Sequence, residues 1–325
     1  MTRIVTFGEA MLRFTPPGSR RLEQTDSVEV WVAGAELNVA VGIARLGGSA
    51  SWVSWLPRSA LGRMVAGHAR GHGVDTSGVH WVDRGRLGLF FTEVGQAPRP
   101  SATLYDRAAS AFTMLEPDAF DWPALLDAAH AFHTSGITPA LSAACARATE
   151  DAFGAARRLG CHTSYDLNYR SMLTSPEAAR GSLDSLAPAI DTVIASSTEV
   201  AAVYGLTGEP AEVAARLRNQ LGVPRVVISG RVAGPDGTQA RWSAAVDGGV
   251  CELGSPGFRT VDPLGGGDAF SAGFLLGLLD GGARRGLELG GAVAALKQSI
   301  PGDFAIVDLA EVEELIDGGE EHTRR

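Results

Sequence analysis

The 325-residue sequence predicts an α/β fold: a doubly wound, mostly parallel sheet with helices on both faces and a small β-sheet lid. Three observations predict it. Apolar runs rich in β-branched and aromatic residues alternate with alanine-rich amphipathic stretches, as strands and their crossover helices do. The 41 glycines fall between these segments instead of in one block, punctuating many short elements. Two stretches, residues 11–33 and about 79–108, carry strand signals without helical periodicity, so their strands are expected to form a separate sheet. No internal repeat or long linker divides the chain, and residues 1–325 are expected to form one domain.

The elements follow in order. A strand over 4–7 leads into strand-turn-strand over 11–33, bent at Pro16-Pro17-Gly18, with its second run at 28–32. Leu37, Val41 and Ala44 mark the buried stripe of a helix over 37–46, and a strand over 52–55 follows with Trp52 and Trp55 in it. Strand signals at 87–94 and 102–105 flank a turn at 95–100. Strands at 132–134, 163–167, 192–195 and 226–229 then interleave with helices at 143–159, 176–186 and 213–221. Strands continue to about residue 257, and helices are expected over 270–279, 287–297 and 309–316 before a polar, frayed 318–325. The two helix-free stretches read as a lid over the crevice at the carboxyl ends of the parallel strands, or as an edge extension with no gating role.

Composition narrows the partners. With 45% hydrophobic and 20% charged residues the chain is globular rather than disordered. A net charge of −9 and no long basic run argue against a nucleic-acid backbone as partner. An anionic ligand must then be held by local arginines and backbone amides. No apolar run reaches the ~20 residues that cross a bilayer, and Arg3, a short strand and Gly8-Glu9 do not make a signal peptide. Cys145, Cys161 and Cys251 are odd in number and irregular in spacing, which fits packing residues in a reduced, cytoplasmic setting better than a disulfide or zinc framework. The seven histidines show no ligand spacing.

Two local strings carry chemistry. In Val261–Leu279, Gly265, Gly266 and Gly267 precede an amphipathic helix whose first turn holds Asp268. Consecutive glycine amides at a helix start form an anion hole, and a carboxylate beside it can take a proton from an attacking hydroxyl. The same string also reads as a glycine turn with Asp268 as a helix cap. In Ala33–Gly47, Gly34 permits close approach to the main chain, and Asn38 sits at the start of a helix, suited to a polyol or to a local cap.

Gly34, Asn38 and Arg45-Leu46-Gly47, followed by Asp262, Gly265, Gly267, Asp268 and Phe270, resemble the paired signatures of the ribokinase-like (PfkB) sugar-kinase family. Within it, GAELNVAV, YDRAASAF, SGITPALS, DLNYR and ALKQSIPGDF are similar to segments of 2-keto-3-deoxygluconate kinases. The resemblance implies a ribokinase-like fold, transfer of the ATP γ-phosphate to the 6-hydroxyl of a keto sugar acid, and Mg²⁺ held mainly by ATP and water. It implies Asp268 as base and Gly265, Gly266 and Gly267 as the cradle. Substrate contacts are implied at Gly34, Asn38, Tyr105, Arg107, Ile137, Arg170 and Asp303, with Arg107 and Arg170 as a bidentate grip on the carboxylate. Surface ion pairs are the competing reading of both arginines. Nucleotide contacts are implied at Asn168, Ser196, Glu199, Ser229, Gly230, Gly234, Gly265 and Gly267, with Glu199 acting on the metal indirectly. A homodimer or higher homo-oligomer paired through the lids is also implied.

The chain departs from the pattern in four places. Ser196 stands for an asparagine, Phe90 falls near a substrate-touching tyrosine, Gly266 replaces an alanine, and VISGRVAG at 227–234 alters the purine-side loop. Another sugar kinase of the family, such as a fructokinase or a ribokinase-like enzyme, is the nearest alternative. A catalytically silent sugar-acid binding protein is a second one.

Overall fold

The computed structural model describes residues 2–95, 98–233 and 238–318. Its strands are β1 (Arg3–Phe7), β2 (Met11–Thr15), β3 (Glu29–Ala33), β4 (Ser49–Pro57), β5 (Val79–Val82), β6 (Gly88–Glu93), β7 (Ala102–Asp106), β8 (Ala131–Ser135), β9 (His162–Asp166), β10 (Thr192–Ser196), β11 (Arg225–Ala233), β12 (Gln239–Val246) and β13 (Val250–Gly254). Nine form one sheet in the order β13-β12-β11-β10-β9-β8-β1-β4-β5. Pairing is parallel from β11 through to β5, and the β11–β12–β13 edge is antiparallel.

Side chains of β1 alternate between two cores, as a central strand's must. Ile4 packs with Leu37, Trp52, Phe270 and Phe274 on one face. Val5 and Phe7 pack with Phe132 and Phe153 on the other. Helix Ala35–Arg45 and the start of helix Gly266–Gln298 cover the first face, and helix Ala143–Arg158 covers the second. Phe7 anchors an aromatic cluster, with ring centroids 5.5 Å from Phe112, 5.4 Å from Phe120 and 5.1 Å from Trp122. Each such buried ring contributes on the order of 2 kcal/mol of burial energy.

The second sheet has the order β3-β2-β6-β7. In β6 the residues alternate buried and half-buried, so Phe90 faces inward against Met11 and Ala33 while Leu89 and Phe91 are partly exposed. Residues 79–82, placed in the lid stretch by their lack of helical periodicity, instead form the edge of the main sheet: β5 pairs in parallel with β4, Ser54 opposite Val79. Only its partner strand decides that assignment.

The two helices expected at 270–279 and 287–297 are the two arms of the span Gly266–Gln298, separated at Gly282, whose φ of 84° and ψ of −174° are not helical. Ala60–Gly71 is helical although three glycines interrupt it. The Ser59 side chain caps its first turn, and Val65, Ala66 and Ala69 are buried. No helix among the described residues is long and apolar enough to cross a membrane.

The order β8-β1-β4 puts a topological switch at β1, where the loops after β1 and β8 diverge and open a crevice at the carboxyl ends of the strands. Glu9 follows β1, Ile137 follows β8, Asn168 follows β9 and Ser197 follows β10. The lid sheet and the start of helix Gly266–Gln298 face the same crevice.

Candidate active site

Asp268 is the third residue of helix Gly266–Gln298, not its cap; Gly265 holds the cap position with φ 77°. A Cβ on Gly265 would stand 1.9 Å from the Asp303 carbonyl oxygen, so only glycine fits there. The first helical amides have no partner within the helix, and with the helix dipole they make a site of positive potential. Gly265, Gly267 and Asp268 line a cavity of about 1030 Å³, whereas Gly266 turns inward against Gln298.

Asp268 is buried, and both its carboxylate oxygens are engaged. Asn38 Nδ2 donates to Oδ2 at 2.6 Å and Asn168 Nδ2 donates to Oδ1 at 3.4 Å. Burial pushes its carboxyl above the ordinary value, with the two asparagines, Arg170 and Lys297 opposing that rise. Asn38 therefore reaches the carboxylate from the start of its helix, and its own Oδ1 is buried without a partner. Asn168 sits in the left-handed region at φ 39°, a conformation asparagine tolerates better than most residues.

A second, smaller cavity of about 80 Å³ adjoins the first. It is lined by Gly34, Asn38, Tyr105, Arg107, Ile137, Arg170 and Asp303 together with Phe90, Glu9 and Glu36. All the residues singled out as acceptor contacts thus meet in one place, although they come from five separate segments. Arg107 is not a surface ion pair: it is largely buried, and its Nε donates to Glu9 Oε2 at 3.1 Å. Arg170 is exposed and lines both cavities. The Ile137 amide is already used, donating to Ser135 Oγ at 3.3 Å. Phe90 stacks on Tyr105 with centroids 5.6 Å apart.

The larger cavity holds Asn168, Ser196, Glu199, Ser229 and Gly230; Gly234 lies outside the described residues. Ser196 and Glu199 form a capping box for helix Ser197–Tyr204. Ser196 N donates to Glu199 Oε2 at 2.7 Å, and Glu199 N donates to Ser196 Oγ at 3.3 Å. The serine that stands for an asparagine is therefore occupied locally.

Several charged residues of the site escape a reading of local strings. Arg13, 1% exposed, donates from Nη2 to Asp262 Oδ2 at 2.5 Å and stands 3.2 Å from Asp303 Oδ2. Asp262 also accepts from Leu264 N and Gly302 N, so it staples the loop before the glycines to the loop after the helix. Lys297 Nζ bridges the Asp262 and Ile300 carbonyls, 3.1 Å from each. Burial raises Asp303 to about 7 despite Arg13. Asp166, held by Ser271 Oγ at 3.0 Å, is raised well above its ordinary value by burial and then by the Glu199 and Asp268 charges. Glu36 accepts from Ser135 and Thr138 behind the smaller cavity. The available signal was a charge inside an apolar run, as in Leu12-Arg13-Phe14, because such a charge must find a partner.

Two confluent cavities, with a buried carboxylate at their junction and a helix start aimed at one of them, define a phosphotransferase acting on an alcohol. The chain belongs to the pfkB family of carbohydrate kinases, whose sequence pattern matches residues 1–303. It is 42% identical over 320 residues to a 2-dehydro-3-deoxygalactonokinase of Haloferax volcanii, covering 98% of this chain and 97% of that protein. A 2-dehydro-3-deoxygluconokinase of Thermoproteus tenax is 31% identical, with 97% and 94% covered. The crystal structure of the 2-dehydro-3-deoxygluconokinase of Thermotoga maritima superposes with a TM-score of 0.91 at 35% identity, covering 98% of each chain. A putative ribokinase II from E. coli, in complex with ATP and Mg²⁺, shares the fold at 21% identity with a TM-score of 0.83, covering 98% of this chain and 100% of that one.

Proposed function

We propose that the enzyme transfers the γ-phosphoryl group of ATP to the 6-hydroxyl of 2-keto-3-deoxy sugar acids, the gluconate and galactonate epimers. One observation carries this reading: Asp268 shares a pocket with two guanidinium groups, Arg107 and Arg170. A neutral sugar needs neither cation, whereas a carboxylate matches the guanidinium fork. The names of the Haloferax and Thermotoga relatives support the same substrate class.

In this reading the acceptor lies under the lid against Phe90 and Tyr105, with its hydroxyl at Asp268. The carboxylate takes the hydroxyl proton as the new oxygen–phosphorus bond forms, and the bond to ADP breaks. Asn38 and Asn168 hold the base ionised and aimed, and Asn38 Oδ1 is left to accept from the acceptor. The amides at Gly265–Gly267 take up the charge that spreads over the moving phosphoryl group. Asp166 and Glu199, two carboxylates on the donor cavity wall, are an oxygen donor set that fits Mg²⁺. When bound with ATP, the ion would neutralise charge between the phosphates. Lid pairing in a homodimer belongs to the same proposal, and the lid leaves Val28, Val30 and Leu104 exposed; light scattering after gel filtration tests it.

A coupled ADP-release assay with ATP and Mg²⁺ tests the substrate class. It compares both keto acids with fructose, ribose and gluconate at matched concentrations. Turnover confined to the keto acids is the expected result. Comparable turnover on the neutral sugars would remove the carboxylate argument, and inactivity on all five would favour a silent binding protein.

A further inference from the structure

Two guanidinium groups face each other across the β11–β12 hairpin. Arg231 and Arg241 are directly paired in the antiparallel register, so their side chains share a face. Both line the larger cavity. Arg241 is only 7% exposed, yet its Nη1 finds just a long 3.4 Å bond to Ser229 Oγ, and its Nε has no partner. Among the described residues neither arginine forms an ion pair.

This is an unfavourable arrangement on two counts. A buried cation without a hydrogen-bonded counter-charge loses its hydration, and like charges opposite one another weaken a ladder. Burial, and after it the Arg231 charge, draw Arg241 down to about 10 against the opposing pull of Glu199 and Asp166, which leaves it a cation at neutral pH. Among the described residues, none of the carboxylates on the same cavity wall comes within ion-pair distance of it: Asp166 accepts from Ser271, Glu199 from Ser196, and Asp268 from Asn38 and Asn168. Arg241 also lies beside the glycine cradle. A Cβ added to Gly266 would stand 3.4 Å from Arg241 Nη2.

We propose that Arg241, with Arg231 opposite it, binds the polyphosphate chain of the donor nucleotide, completing from the strand side the cradle that the glycine amides form from the helix side. The inference rests on the larger cavity being the donor site. The adenosine moiety contributes nothing to this grip, so affinity should climb with the number of phosphates, and Arg241 should account for much of the climb.

Calorimetric titration of adenosine, AMP, ADP and a non-hydrolysable ATP analogue into wild type, Arg241→Gln, Arg241→Lys and Arg231→Gln tests this. Arg241→Gln should weaken ADP and the ATP analogue by ~10-fold or more, as loss of a charge-assisted bond does, and leave adenosine unchanged. Arg241→Lys should recover part of the loss. Thermal unfolding should show little change for Arg241→Gln, since the burial cost that is relieved and the attraction to Glu199 and Asp166 that is lost oppose each other. In turnover, the KM for ATP should rise and the KM for the acceptor should not. Equal weakening of all four ligands, or unchanged ADP affinity, would overturn the proposal while leaving the donor site in place. A wild type that binds none of the four would overturn the donor-site reading with it. Should Arg241→Gln fail to fold, Arg241→Lys and Arg231→Gln decide the matter through the same phosphate ladder.

Discussion

Replacing Asn38 with alanine removes the 2.6 Å bond that its Nδ2 donates to Asp268 Oδ2. A hydrogen bond to a buried carboxylate favours the ionised form by about 1.5–3 kcal/mol. One pH unit corresponds to 1.36 kcal/mol, so the loss should raise the Asp268 pKa by roughly 1–2 units. Asn168 and Arg170 still oppose the rise, and water in the vacated space restores part of the bond, so ~1 unit is the working value. The sign follows from the role of the group. Asp268 accepts a proton only when ionised, activity increases with pH through its pKa, and burial has already moved that pKa upward. The assay is kcat between pH 5 and 9 with both substrates saturating, for wild type and Asn38→Ala. The acid limb should move to higher pH in the variant, with much of kcat regained above it and a raised KM for the acceptor. A limb that stays in place while kcat falls uniformly would show that Asn38 does not hold Asp268 in its ionised state.

Asp268→Asn should leave the affinities for both substrates within a few-fold of wild type and lower turnover by about 10²–10⁴-fold; titration calorimetry beside the ADP assay separates the two, and near-normal turnover would take the base role from Asp268. Asp303→Asn addresses stability. With a folded-state pKa of about 7, above its unfolded value, Asp303 contributes stability that is complete below about pH 4 and lost as pH rises through 7. The asparagine stays neutral, so the Tm of the variant relative to wild type should improve from pH 5 to pH 8, and a difference that does not change with pH would refute the assignment.

How much could be read from the string depended on the range of the interaction involved. The parallel strands and their helices were legible because apolar runs and amphipathic stripes are local properties. The glycine cradle with Asp268 and the helix start with Asn38 were legible for the same reason. What their side chains do to one another was not, because Asn38 and Asp268 lie 230 residues apart and Arg13 and Asp262 lie 249 apart. Each reads locally as a cap or a stray charge. The lid boundary failed at Val79–Val82 because a four-residue strand carries no mark of which sheet will accept it. The box that occupies Ser196 was present as Ser-x-x-Glu directly before Val200, and the family resemblance drew attention to its missing asparagine instead. Arg241 lies in a strand, Gln239–Val246, whose sequence gives no sign of a site, and only its burial beside Gly266 gives it meaning.

The bond between Arg107 and Glu9 has a consequence for how an acid is admitted. The smaller cavity is continuous with the larger one through Arg170, Gly265 and Asp268, and in the proposed reading the guanidinium offered to the incoming carboxylate already holds one that belongs to the protein. Entry is then an exchange of partners. A ligand with its own carboxylate can replace Glu9 ion for ion, whereas a neutral sugar would have to part the pair with nothing to offer in return. Glu9 in this role acts as a resident competitor that sets a threshold for admission, and in a chain with nine more acidic than basic side chains it keeps a scarce cation quenched until the right anion arrives.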